Sequence, residues 1–167
     1  MRVWRIYSHL TPYARRPDFD PLSGAGGVKH AARWHHPGHK VVYTAANASL
    51  ATLEIVVHVR PDLFGERRLL ELEVPEDSLE RVSEQAFIQL LRNAPPAEPE
   101  AATRTFGSEW LQQRRSLVLE VPSFVMPVER NYLLNPLHPR FQDVTIVRRE
   151  LVTLDPRLVI HGLEAGT

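Results

Sequence analysis

The stretch Ala32–His58, ARWHHPGHKVVYTAANASLATLEIVVH, decides how this chain is read. Lys40–Ala45 (KVVYTA) is dense in β-branched and aromatic residues, which suit a pleated, packed surface, and reads as a buried strand. Asn47 follows it, and a short polar side chain there can accept the first free amides of a helix, so a helix is predicted from Ala48 to about His58. Its Leu50, Leu53 and Val57 recur at i, i+3 and i+7. Glu54 sits at i+4 from Leu50, which sets a carboxylate along the same inward stripe. A charge on an apolar stripe is either half of an ion pair or a working acid, and the pattern alone leaves both open.

Outward from this corner the periods keep changing. Val3–Tyr7 alternates as an opening strand, and Thr11–Gly27 carries Pro and Gly without a sustained period, so it reads as a long loop. Arg68–Val74 puts Leu70, Leu72 and Val74 on one side and Glu71 and Glu73 on the other, a half-exposed strand stopped by Pro75. Ser83–Asn93 sets Ala86, Phe87, Leu90 and Leu91 on a helical face. Ala94–Thr103, with three prolines, then breaks the chain as a surface loop. A short helix is expected over Ser108–Arg115, and late strands over Ser116–Val121 and Asp143–Leu154, separated by a punctuated loop from Pro122 to Arg140. Strands outnumber helices and β-α-β units are few, which is an α+β pattern, not a doubly wound parallel sheet. No internal repeat is visible.

At 167 residues and 43% hydrophobic, the chain can bury one continuous core, so a single compact domain is expected over residues 1–160, with a flexible tail at 161–167. The absence of cysteine removes disulfides, thiolate metal sites and cysteine nucleophiles, and nothing calls for an oxidising compartment. No apolar run suits a signal peptide or a membrane span, so the chain is expected to begin at or near Met1 and to work in the cytoplasm. Twenty basic against twenty acidic residues leave no net attraction for a nucleic acid, while a neutral surface does little to keep protomers apart.

Three constellations carry possible chemistry. Gly24, Gly26 and Gly27 look like a phosphate loop but complete no G-x-G-x-x-G, and Lys29 is not placed as in a P-loop. His30, His35, His36 and His39 crowd one decapeptide. His35 and His36 are adjacent, Pro37 and Gly38 bar a helical display, and no carboxylate lies among them, so a polar loop is the reading and no metal is expected. The third set is Arg33, Tyr43, Glu54 and Ser116, with Arg5 from the first strand. A strand-to-helix corner can hold Arg33, Tyr43 and Glu54 within reach of one small molecule. By residue type alone, Arg33 is as well a solvated loop charge, Tyr43 a packing residue and Ser116 a connector before a strand. Trp34, Trp110 and Tyr132 read as core.

The quoted stretch resembles the core of the RES domain, a toxin family named for an Arg, a Glu and a Ser. Trp110 and Leu111, then SLVLEVPS (Ser116–Ser123), then NYLLNPLHP (Asn131–Pro139), are similar to that family's second half in order, so the resemblance spans roughly Val3–Leu154. By position it matches Arg33, Glu54 and Ser116 to the name residues, Tyr43 to a tyrosine between the first two, and Arg5 to an early strand arginine. Ala31 and Ala32 depart from it, standing where the family carries glycine. The resemblance implies a fold like that of ADP-ribosyltransferase toxins, with NAD as substrate and no separate cofactor. It implies cleavage of the nicotinamide–ribose bond by hydrolysis or phosphorolysis; the alternatives are transfer of ADP-ribose to a specific protein and a non-enzymatic nucleotide- or metal-binding module. In that reading Glu54, Arg33 and Ser116 are catalytic and Arg5 and Tyr43 bind NAD. It also implies an Xre-type helix-turn-helix antitoxin that covers the cleft, with DNA contacted only through that partner, and a homodimer.

Overall fold

Alternating and helical stretches resolve into one seven-stranded sheet with the three longest helices packed on one face. The computed structural model describes residues 1–57 and 65–160. In chain order the elements are β1 (Arg2–Tyr7), α1 (Gly26–Lys29), β2 (Val42–Ala45), α2 (Ala48–Val56), β3 (Glu66–Glu73) and β4 (Leu79–Arg81). There follow α3 (Glu84–Asn93), α4 (Ala101–Gln113), β5 (Val118–Pro122), β6 (Arg130–Leu134), a 3₁₀ turn (Pro139–Asp143), β7 (Thr145–Thr153) and α5 (Arg157–Ile160). The seven strands run in the order β4-β5-β6-β2-β1-β3-β7, antiparallel throughout except for the parallel pair β4–β5. This is the α+β class expected. Residues 161–167, expected as a tail, and His58 lie outside the described residues.

The two faces follow from the pleat. Val3, Val42, Leu70, Leu72, Val118 and Leu134 share one face, where Leu22, Phe141 and Val144 from loops pack on them. The opposite face carries Leu119, Val121 and Leu133 under Trp34 and Trp110, and Ile6, Ala45 and Leu69 under Leu50 and Ala51 of α2. Removing such a side chain from water contributes about 1.5–3 kcal/mol each, so these clusters hold the helices to that face.

Several elements differ from the sequence expectation. The α4 helix begins at Ala101, inside the stretch expected as loop: past Pro99 the two alanines and Arg104 favour a helix, and Thr103 and Arg104 are bonded to the Arg33 and Ala32 carbonyls. β6 lies wholly inside the expected loop Pro122–Arg140: its few residues, followed by Asn135 and Pro136, show no period, yet it is a central strand paired on both edges. β4 and α1 are three and four residues long and likewise leave no periodic trace. In α2 the inward stripe turns toward Leu50, Ala51 and Ile55, and Val57, expected inside, is 54% exposed. On α3 only Phe87 and Leu90 of the expected face pack on the core, and Leu91 faces out.

Candidate active site

Between β1 and β2 the sheet opens. The two strands meet at a single register pair, Trp4 with Ala45, and the Arg5 side chain bridges them beyond it, donating from Nη1 to the Tyr43 carbonyl (3.0 Å) and from Nε to the Pro21 carbonyl (3.0 Å). Burial lowers the Arg5 pKa to about 10. A cleft of about 450 Å³ sits on the helical face beside this opening. Its floor is the cross-strand row Asn131, Ala45 and Trp4 with Tyr43 and Ile6; α2 supplies Glu54 and Ile55; Arg33, Trp34, Phe124 and Val125 close the far side. That volume is in the range of small-ligand cavities.

Glu54 reaches the cleft because Asn47 starts α2 in the right phase: its side chain accepts the Leu50 amide at 2.8 Å. Glu54 Oε1 accepts two hydrogen bonds, from Ser123 Oγ (2.8 Å) and Asn131 Nδ2 (2.5 Å). Oε2 accepts none among the described residues. The Ser123 hydroxyl also accepts the amides of Val125 (3.1 Å) and Met126 (2.9 Å), so the turn after β5 is tied to the carboxylate by one oxygen. Asn131 Oδ1 is buried without a partner among the described residues.

Arg33 is held by α4. Thr103 Oγ1 donates to the Arg33 carbonyl (2.7 Å), Arg104 Nε to the Ala32 carbonyl (3.1 Å), and Ser108 Oγ accepts the His36 amide (2.9 Å). The helix passes so close that a Cβ on Gly107 would fall 1.9 Å from the Trp34 carbonyl oxygen. The guanidinium of Arg33 stacks 3.5 Å from the centroid of Phe124 and pairs with Glu100 at 3.1 Å, a carboxylate shared with Arg104. Ala31 and Ala32 need no glycine here, because Arg114 is the non-glycine position with positive φ among the described residues. The Tyr43 hydroxyl meets His35 Nδ1 at 2.8 Å. Burial pushes the Tyr43 pKa up and the His35 pKa down, so the phenol stays protonated and the imidazole tends to neutral.

The structure thus brings Arg5, Arg33, Tyr43 and Glu54 around one cleft and leaves Ser116 apart. Ser116 is buried two residues before β5, accepting from Trp110 Nε1 (2.8 Å) and donating to the Val118 carbonyl (2.8 Å). The serine bonded to Glu54 is Ser123, and the reading of the sequence missed both it and Asn131. Along β5, at about 3.3 Å per residue, the two serines stand at opposite ends of the strand. The usable signal was the position of Ser123 just beyond inward-facing Val121, at the end of β5 that lies beside Asn131 and Ala45. The histidine loop is partly exposed, as read from the sequence: His35 is buried, while His36 is exposed and near Thr105. Among the described residues no three His, Asp or Glu side chains stand close enough to hold a metal, and no helix is long and apolar enough to cross a membrane.

Comparison with known proteins agrees with this architecture. Toxin Res of Pseudomonas putida is 37% identical over 161 residues, spanning 95% of this chain and 99% of that protein. The Prs ADP-ribosylating toxin of Sphingobium sp. is 37% identical over 161 residues, 93% of this chain and 95% of that protein. Among solved structures, a chain of the M. tuberculosis MbcT-MbcA toxin-antitoxin complex superposes with a TM-score of 0.68 at 16% identity, covering 94% of this chain and 85% of that one, which is a likeness of fold. The sequence model of the RES domain matches residues 2–155, and with relatives of that identity and coverage the chain belongs to the RES-domain family.

Proposed function

We propose that this RES-domain protein is a toxin that cleaves the nicotinamide–ribose bond of NAD, with water or phosphate taking the ADP-ribose. The observation that carries the reading is Glu54: two donors hold Oε1, and Oε2 has no partner among the described residues, in an aromatic-lined cleft. Loss of nicotinamide leaves an oxocarbenium-like ribose. A carboxylate fixed beside that carbon gains more attraction as positive charge develops than it had for the substrate, so it lowers the barrier. Ser123 and Asn131 act through Glu54, as positioning residues. Arg33, its plane set by Phe124, offers a permanently charged fork to phosphate oxygens. Arg5, committed to two carbonyls, adds positive potential from below, and Tyr43 offers its ring, its hydroxyl being engaged by His35.

The test is nicotinamide release from NAD by the purified full chain, in buffers with and without phosphate, beside Glu54→Gln. Release that falls by about a hundredfold or more in the variant is expected, and dependence on phosphate separates phosphorolysis from hydrolysis. Undiminished release by Glu54→Gln would remove the carboxylate from the mechanism. A second reading, transfer of ADP-ribose to a protein, is favoured by the name of the Sphingobium relative. It predicts a labelled acceptor when labelled NAD is added to lysate, with little free ADP-ribose.

The partner in this reading is an antitoxin of the Xre helix-turn-helix type that covers the cleft and carries any contact with DNA. The fold neighbour was solved as a toxin-antitoxin complex, and the cleft rim offers apolar surface at Val57, Phe124 and Val125.

A further inference from the structure

β7 is the outer strand of the sheet, paired with β3 on one side and with nothing on the other among the described residues. Residues 147–151 (VRREL) are exposed throughout, including two apolar side chains, Val147 (42%) and Leu151 (47%). Arg149 and Leu151 stand opposite Leu70 and Arg68, on one sheet face, and Arg148 and Glu150 stand opposite Glu71 and Leu69, on the other. A free edge is a template for another strand unless its charges repel the incoming one, and on one face of this edge Arg148 and Glu150 are of opposite sign.

We infer that this edge pairs with the same edge of a second copy, antiparallel, about a two-fold axis through Arg149. Opposed residues in an antiparallel pair share a face, so the axis must pass through a residue and not between two. An axis at Arg148 sets Val147 against Arg149 and Ile146 against Glu150; one at Glu150 sets Arg149 against Leu151 and Arg148 against Val152. The axis at Arg149 alone sets opposite charges across the pair, Arg148 against Glu150 twice, with Val147, at the register shift, level with Leu151. Each arginine then has a glutamate beside it in its own strand, where Arg148 Nη1 lies 3.2 Å from Glu150, and another across the pair. The single unfavourable contact is Arg149 with its copy, on an exposed face. The pairing has a set length. The register between β3 and β7 shifts at Val147, which leaves Ile146 opposite Leu72 and Val152 opposite Arg67 on different faces, so matched pairing covers five residues. Five paired residues bury well under the roughly 1,200 Å² of a stable interface, and a reversible, concentration-dependent dimer follows.

Sedimentation of the full chain over a concentration series tests this. The wild type is expected to shift from monomer toward dimer as concentration rises, Glu150→Arg to remain monomeric at concentrations where the wild type dimerises, and an equimolar mixture of Glu150→Arg with Arg148→Glu to dimerise again. Misfolding of either variant cannot produce that recovery. Arg149→Thr, which removes the one like-charge contact, is expected to dimerise at lower concentration than the wild type. A wild type that stays monomeric throughout, a Glu150→Arg that dimerises as the wild type does, or a mixture that stays monomeric would each overturn the pairing.

Discussion

Ser116 and Ser123 are hydroxyls seven residues apart in one segment, and their partners separate their roles. Ser116→Ala leaves the buried Trp110 Nε1 without its acceptor, which costs about 1–3 kcal/mol of stability. Urea unfolding should show that loss while turnover per folded molecule is unchanged. Ser123→Ala removes a hydrogen bond to a charged group, worth about 1.5–3 kcal/mol, and lets the Glu54 carboxylate turn. The expected result is a fall of about ten- to a hundredfold in kcat/KM for NAD, read by nicotinamide release. His35 adds a pH dependence of known sign. Its folded-state pKa lies below the ordinary 6.5, so below that value the unfolded chain binds the extra proton more readily than the folded one. The stability it contributes is complete above about pH 6.5 and is lost as pH falls through the depressed value. Thermal melts from about pH 7 to about pH 5 should show a falling Tm, with a shallower slope in His35→Gln.

At the scale of elements, α4 is what makes Arg33 a site residue. A loop arginine is ordinarily solvated and mobile, but here three side chains of one helix bind the Ala32–His36 backbone, and Gly107 lets the helix come that close. Gly107→Ala sets a methyl group against backbone that cannot yield, which overpacks the contact by about 1–3 kcal/mol or more. The expected outcome is a lowered Tm and a raised KM for NAD, since Arg33 is displaced before the Glu54 contacts are; an unchanged KM in a destabilised variant would show that Arg33 does not depend on α4. Asn47 was legible as a helix start from its residue type, and Glu54 as an inward carboxylate from its spacing. The length of α4 was not, because Gly107 and the preceding prolines speak locally against a helix, and the reason for that glycine lies in Trp34, far away in sequence.

Across the whole molecule, twenty acidic and twenty basic residues cancel, and a chain without net positive charge releases few counterions from a duplex. The protein alone is therefore expected not to bind a labelled DNA duplex at physiological salt, as anisotropy would show; binding by the isolated chain would contradict the view that DNA is met through a partner. The cleft, too, is a property of the whole sheet. β1 and β2 are neighbours that join at one pair and part at Arg5, so residues from β1, β2, α2 and the turn after β5 line one opening.

What the sequence determined by itself is what depends on neighbours along the chain. The α+β class, the opening strand, the KVVYTA strand, the start of α2 and the placing of Glu54 on its inward side all follow from periods of two and 3.6 and from one capping residue. The likeness of Ala32–His58 to the RES domain belongs here as well. Only the tertiary structure decided which serine meets Glu54, that Asn131 joins it, and that β6 runs through the middle of the sheet. Each of these depends on strands distant in sequence lying side by side. A short strand buried between two others shows no alternation, and a hydroxyl carries no mark in sequence of the partner it will find across the sheet.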